Sequence, residues 1–204
     1  YKLMGKEFAV KIDTKSSIEQ HASWLASNPV VGCPKDCAYC FLRPDGLTRI
    51  KPEILFSPKQ ALDDLVRSPL YTESVPIATG TRTDYFSTPG VIKYLREYII
   101  EYNNRGLKNP LIIISKQKIP GYMIDLFVEL EKKGTRFIFF LSYSGIDATI
   151  EKGINHQDIR DNFKKLSDVG LSVIHYWRPF IPQNSTETVM NGVFDYFREY
   201  AKAS

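Results

Sequence analysis

Leu111-Ile112-Ile113-Ile114-Ser115 decides the fold. Four consecutive apolar residues, three of them β-branched, lack the polar alternation of a half-exposed strand and read as a strand covered on both faces. Phe137-Ile138-Phe139-Phe140-Leu141 has the same character, as do Val75–Thr79 before it and Leu171–Tyr176 after it. Helical patterns fill the gaps between these runs. Thr88-Pro89 opens a helix with Ile92, Leu95, Ile99 and Tyr102 on one side, stopping near Gly106. Pro120-Gly121 opens the next, which passes Leu130 and ends at Gly134. Asn155 or His156 starts a third, ending at Gly170, and Thr186 starts a last one with Val189, Val193, Phe194 and Phe197 on its apolar side. Upstream, Ser57-Pro58-Lys59-Gln60 combines a capping residue, a first-turn proline and a capping-box glutamine ahead of Ala61, Leu62, Leu65 and Val66. Strand and helix alternate with short connections, so the class is α/β with a parallel sheet, either doubly wound or a barrel.

The N-terminal part is read differently. Residues 1–27 form an extension, with Glu7–Ile12 as a short strand and Ser16–Ser27 as a helix that aligns Ile18, Ala22 and Leu25. Residues 28–204 form the core. Val30-Val31 is the end of its first buried strand, and about five βα units are visible, a sixth being either missing or beyond Ser204. There is no internal repeat and no low-complexity segment.

The loop after Val31 holds Cys33-Pro34-Lys35-Asp36-Cys37-Ala38-Tyr39-Cys40, and these three are the only cysteines in the 204-residue chain. Thiolates are the natural ligands of iron–sulfur clusters, and a cubane with three protein thiolates keeps one iron open to a small molecule. The rival readings are structural zinc, with a fourth ligand from the distant His21, His156 or His175, a disulfide, and chance clustering. Eight positions are too short for a disulfide framework.

Composition bounds the function classes. Hydrophobic residues at 43% and charged residues at 25% are ordinary for a globular protein. No apolar run approaches the roughly 20 residues of a membrane span. The first residues lack a signal-peptide core, and reduced, closely spaced cysteines suit the cytoplasm. A net charge of +4 and a pI near 8.8 tolerate an anionic ligand or nucleic acid without demanding one.

In a parallel fold the chemistry gathers at the carboxyl ends of the strands. Those ends carry Thr79-Gly80 with Asp84 and Tyr85, then Ser115-Lys116, then Ser142-Tyr143, then Tyr176 with Arg178. Together with the cysteines they make a cage for a zwitterionic amino acid, with Asp84 for its ammonium and Lys116 or Arg178 for its carboxylate. Tyr85, Tyr143 and Tyr176 are candidates for a substrate wall, with core packing as the alternative for each.

The C-x3-C-x2-C spacing with Tyr39 before the last cysteine resembles the cluster motif of the radical S-adenosylmethionine (SAM) superfamily. The longer string Asn28 to Pro44 resembles the branch that includes spore photoproduct lyase. Thr83-Asp84-Tyr85 and Ser115-Lys116 resemble that branch's elements after the second and third strands. The resemblance covers about residues 28–184. It implies a partial parallel (β/α)6-type barrel and a [4Fe–4S] cluster on Cys33, Cys37 and Cys40. SAM would bind at the open iron and be cleaved to a 5′-deoxyadenosyl radical that abstracts hydrogen from substrate. It further implies Tyr39 near the adenine, Thr79, Gly80 and Asp84 at the methionine ammonium, and Lys116, Ser142 and Arg178 at the carboxylate or ribose. An electron donor such as flavodoxin or ferredoxin is the implied partner. A nucleic acid, nucleoside or related anion is the implied substrate, with a peptide or small metabolite as the alternative and a non-catalytic iron–sulfur or zinc module as the rival. The chain departs from spore photoproduct lyase in having no further cysteine as hydrogen donor.

Overall fold

The computed structural model describes residues 2–3, 6–7, 16–146 and 149–204. The strand expected over Glu7–Ile12 lies almost wholly outside them. Six strands form the main sheet: β1 (Ile18–Gln20), β2 (Leu25–Ser27), β3 (Ile77–Thr79), β4 (Leu111–Ser115), β5 (Phe137–Leu141) and β6 (Ser172–His175). Five helices accompany them: α1 (Pro58–Arg67), α2 (Pro89–Asn104), α3 (Gly121–Lys132), α4 (His156–Asp168) and α5 (Glu187–Phe197). The expected capping box is present on α1, where the Ser57 hydroxyl accepts from the Gln60 amide and the Gln60 side chain accepts from the Ser57 amide.

Residues 16–27 are not a helix. β1 and β2 make an antiparallel hairpin with Ile18 opposite Ser27 and Gln20 opposite Leu25, closed where the His21 amide donates to the Trp24 carbonyl at 3.0 Å. The helical spacing of Ile18, Ala22 and Leu25 loses to tertiary pairing, because Leu25–Ser27 lies in parallel register with Ile77–Thr79. The Asp64 carboxylate on α1 also holds the Ser17 amide at 2.6 Å, and so fixes the chain entering β1. The first parallel strand is therefore Leu25–Ser27, and Val30–Val31 instead pairs antiparallel with Glu53–Ile54.

The sheet order is β6-β5-β4-β3-β2-β1, with every pair from β2 to β6 parallel. Spatial order follows chain order without reversal, which a doubly wound sheet does not do. Right-handed crossovers between successive neighbours put α1 to α4 on one face. Burial agrees: Leu111, Ile113, Phe137, Phe139, Leu141 and Val173 are enclosed with Leu62, Leu95, Tyr98, Phe127 and Phe163 of the helices. The alternate residues Ile114, Ile138, Phe140 and Ile174 are only half-buried. The second face is thus covered at Ala26, Ala78 and Ile112 but only partly elsewhere, and at Ile114 it opens on a cavity. Among the described residues the sheet does not close. The chain after α5 returns to its last edge, where the Lys202 amide donates to the Val173 carbonyl and the His175 amide to the Ala203 carbonyl, each at 2.8 Å.

Candidate functional site

The cysteine loop is a tied excursion from β2. Val30 pairs with Ile54 at its base, and Val31, Leu42 and Leu47 pack together as a small core of their own. Gly32 turns the chain with φ of +94°, a conformation that favours glycine. Its carbonyl accepts from the Thr83 hydroxyl at 2.6 Å and its amide donates to the Arg82 carbonyl at 2.9 Å. These two bonds join the loop to the segment after β3. The Cys33 amide donates to the Leu47 carbonyl, and the Cys40 amide to the Cys37 carbonyl in a tight turn.

All three cysteines are free thiols, and all three line one cavity of about 810 Å³. That volume lies in the rough 300–1,000 Å³ range of small-molecule sites. Burial pushes the Cys33 thiol up to about 12, with the Asp84 charge adding to it. Burial likewise raises Cys37 to about 11, against the Lys116 ammonium, which favours its thiolate. A metal or cluster that takes thiolates reverses that preference locally.

The parallel strands deliver the rest of the lining: Gly80 after β3, Ser115 and Lys116 at the end of β4, Ser142 after β5, and Tyr176 and Arg178 after β6. Asp84 lines the cavity too, and its carboxylate accepts from the Ser115 hydroxyl at 2.9 Å, the Lys116 amide at 2.8 Å and the Phe86 amide at 3.1 Å. Enclosure raises its pKa, with those three bonds opposing. The Lys116 ammonium donates to Glu151 Oε1 at 2.7 Å, the Arg178 carbonyl at 2.9 Å and the Ser142 carbonyl at 3.3 Å. Its three hydrogens are all engaged. The Ser142 hydroxyl donates to the same Arg178 carbonyl at 2.9 Å, while the Arg178 guanidinium lies over the Tyr176 ring at 4.9 Å.

Three expected site residues stand outside the cavity lining. The Thr79 hydroxyl is turned into the core, near the Tyr85 hydroxyl at 2.9 Å and the Ser27 carbonyl at 3.3 Å. Tyr85 is buried behind Gly80, so close that a Cβ on Gly80 would meet its ring at 2.3 Å. Tyr143 packs on Phe197 and His156, with ring centroids 5.0 and 5.5 Å away. Both rings fill gaps between strand ends and helices. Core packing, the alternative weighed for each, describes where they sit.

Glu151 escaped the sequence reading. Its side chain is fully enclosed, yet it carries a carboxylate. Oε1 accepts from the Tyr39 hydroxyl and from Lys116, and Oε2 accepts from the Ser144 hydroxyl at 2.7 Å and His156 Nε2 at 2.6 Å. Its backbone pairs with Cys37. Despite burial, the bonds from His156, Lys116 and Tyr39 hold its carboxyl down to about 2. Nothing local in Thr149-Ile150-Glu151-Lys152 distinguishes this acid from a solvated one; the signal is tertiary.

The donor set fits an iron–sulfur cluster in its chemistry: three free thiols and a partly buried lysine line the same cavity. Among the described residues no group of three His, Cys, Asp or Glu side chains converges to hold one metal ion. A cubane asks instead for one thiolate per iron.

No protein-family model matches the chain, and no curated protein does. Solved structures do match. Spore photoproduct lyase complexed with dinucleoside spore photoproduct superimposes with a TM-score of 0.63 at 17% identity, covering 93% of this chain. A doubly substituted form of that enzyme with bound AdoMet and the same dinucleoside gives 0.62 at 16% identity over 94% of the chain. A singly substituted form with the dinucleoside gives 0.64, also at 16% identity over 94%. The chain spans 55% of the length of each of these structures. Over nearly its whole length, then, this chain has the fold found in spore photoproduct lyase.

Proposed function

We propose that this chain is the core of a radical SAM enzyme. The observation that carries the reading is the convergence of Cys33, Cys37 and Cys40 with the carboxyl ends of four parallel strands on a single cavity. The order of the strands supports a partial barrel of the (β/α)6 type, curved about that cavity. Cys33, Cys37 and Cys40 would hold a [4Fe–4S] cluster whose fourth iron would take SAM. With both bound, the pair supplies one-electron cleavage of SAM to methionine and a 5′-deoxyadenosyl radical that takes hydrogen from substrate.

The chain's own groups bind and orient. Asp84 keeps lone-pair capacity beyond its three internal bonds and faces the ammonium of the amino-acid end. Lys116 is committed to Glu151 and two carbonyls, so the carboxylate falls to Arg178. Gly80 presents backbone to the ligand, and the Tyr85 ring packed behind it leaves no room for a side chain. Ile114 and Tyr39 add apolar surface to the cavity lining. Phe41 and Phe180, about 60% exposed at its lining, offer aromatic faces to a planar anionic substrate such as a nucleoside or nucleic acid. An electron donor such as flavodoxin or ferredoxin supplies the electron.

The test is anaerobic assembly with iron and sulfide. The expected result is about four irons per chain and a reduced-state EPR signal that changes when SAM is added. A chain that binds zinc but no iron–sulfur cluster would contradict the reading.

A further inference from the structure

The segment Ile150–Gly153 straps the cysteine loop. The Ala38 amide donates to the Ile150 carbonyl at 3.0 Å, Glu151 and Lys152 pair with Cys37 and Asp36, and Lys35 Nζ donates to the Gly153 carbonyl at 2.7 Å. At the centre of this strap is the enclosed carboxylate of Glu151, hydrogen-bonded to Tyr39, Lys116, Ser144 and His156. Backbone bonds alone would fix the loop. A fully buried carboxylate is a costly way to add four more, since an enclosed charge must be solvated by the protein. Its location, paired in register with Cys37 and bonded to the residue before Cys40, brings a fixed negative charge to the wall of thiols. Lys116 opposes it with a cation 2.7 Å from Oε1, and His156 Nε2 lies 2.6 Å from Oε2.

We propose that Glu151 is a positioning residue whose buried charge holds the metal group of the three cysteines at a low reduction potential. The inference rests on the cluster reading above. Reduction adds an electron beside Glu151, and a carboxylate in a water-poor site opposes added negative charge. Lys116 acts in the opposite sense and sets how far the effect runs. Tyr39 and Ser144 fix the carboxylate so that its charge stays at the thiol wall.

The test is an EPR-monitored redox titration of the assembled protein without SAM. Iron and sulfide content is measured first for the parent, Glu151→Gln, Glu151→Asp and Lys116→Gln. The expected result is a shift to less negative potential in Glu151→Gln, a much smaller shift in Glu151→Asp, which keeps the charge, and a shift to more negative potential in Lys116→Gln. Where Glu151→Gln does not fold, the double variant Glu151→Gln/Lys116→Gln is compared with Lys116→Gln, and a less negative potential in the double variant is the expected result. Equal displacement by Gln and Asp would mean that only packing matters and would overturn the inference, as would a parent-like potential in Glu151→Gln. A parent that assembles no cluster overturns the cluster reading and this inference with it; a parent that assembles one with variants unshifted overturns this inference alone.

Discussion

Gly80 has φ of +73° and its missing Cβ would overlap the Tyr85 ring. Gly80→Ala therefore combines backbone strain with a clash against a buried ring, and we expect a loss of about 2–4 kcal/mol in urea unfolding. A change within about 0.5 kcal/mol, the range of neutral surface substitutions, would show that the wall yields. His175 gives a pH signature. Its ring is buried, with Nδ1 2.8 Å from the Ser204 hydroxyl and Nε2 2.9 Å from the Tyr143 carbonyl. Burial lowers its pKa, against the bond to Tyr143 and with the Lys116 charge. The unfolded chain takes up this proton near pH 6.5 while the folded one resists until lower pH. Stability from His175 is thus present above about pH 6.5 and declines as pH falls below it. Urea titrations from pH 7.5 to 5.5 should show a shallower decline in His175→Gln than in the parent; identical slopes would refute the assignment. At this scale the sequence reading found the cysteines because their spacing is local. It set Thr79, Tyr85 and Tyr143 beside the ligand because strand ends converge, but which side of a strand end a side chain takes depends on its helix neighbours. Glu151 was invisible for the same reason.

The elements read well where local signals were strong. The capping box of α1, the glycine stops after α2 and α3, and the apolar runs of β4 and β5 all sit where the residues place them. Ser57→Ala removes the hydroxyl that caps α1 and is expected to cost about 1 kcal/mol in chemical denaturation. An unchanged midpoint would mean that tertiary contacts of α1, such as Arg105 Nη2 with the Lys59 carbonyl at 3.2 Å, already fix its first turn. The failure was the β1–β2 hairpin. Short three-residue strands carry too few residues for period-2 alternation to outweigh one coincidental helical spacing. Their real specification is long-range, through the β2–β3 register and the Asp64 bond to Ser17.

At the scale of the molecule, strand order equals chain order, and that places every functional strand end on one rim. The sequence could limit the sheet to doubly wound or barrel-like but could not choose, because crossover direction leaves no mark on apolar runs. A cluster held by three cysteines of the folded loop should stabilise the folded chain. Anaerobically assembled protein should unfold at a higher temperature than the same protein after iron chelation, by mass action of a ligand that binds only the folded state. Equal melting temperatures would mean that the loop is fixed without it. The central claim is tested most directly by chromatography for 5′-deoxyadenosine after anaerobic assembly, dithionite reduction and addition of SAM, with Cys37→Ala as the control. The account predicts 5′-deoxyadenosine from the parent and none from the variant. A verified, reduced cluster that binds SAM, perturbs its EPR signal and still yields none, with or without nucleosides and oligonucleotides, would contradict it.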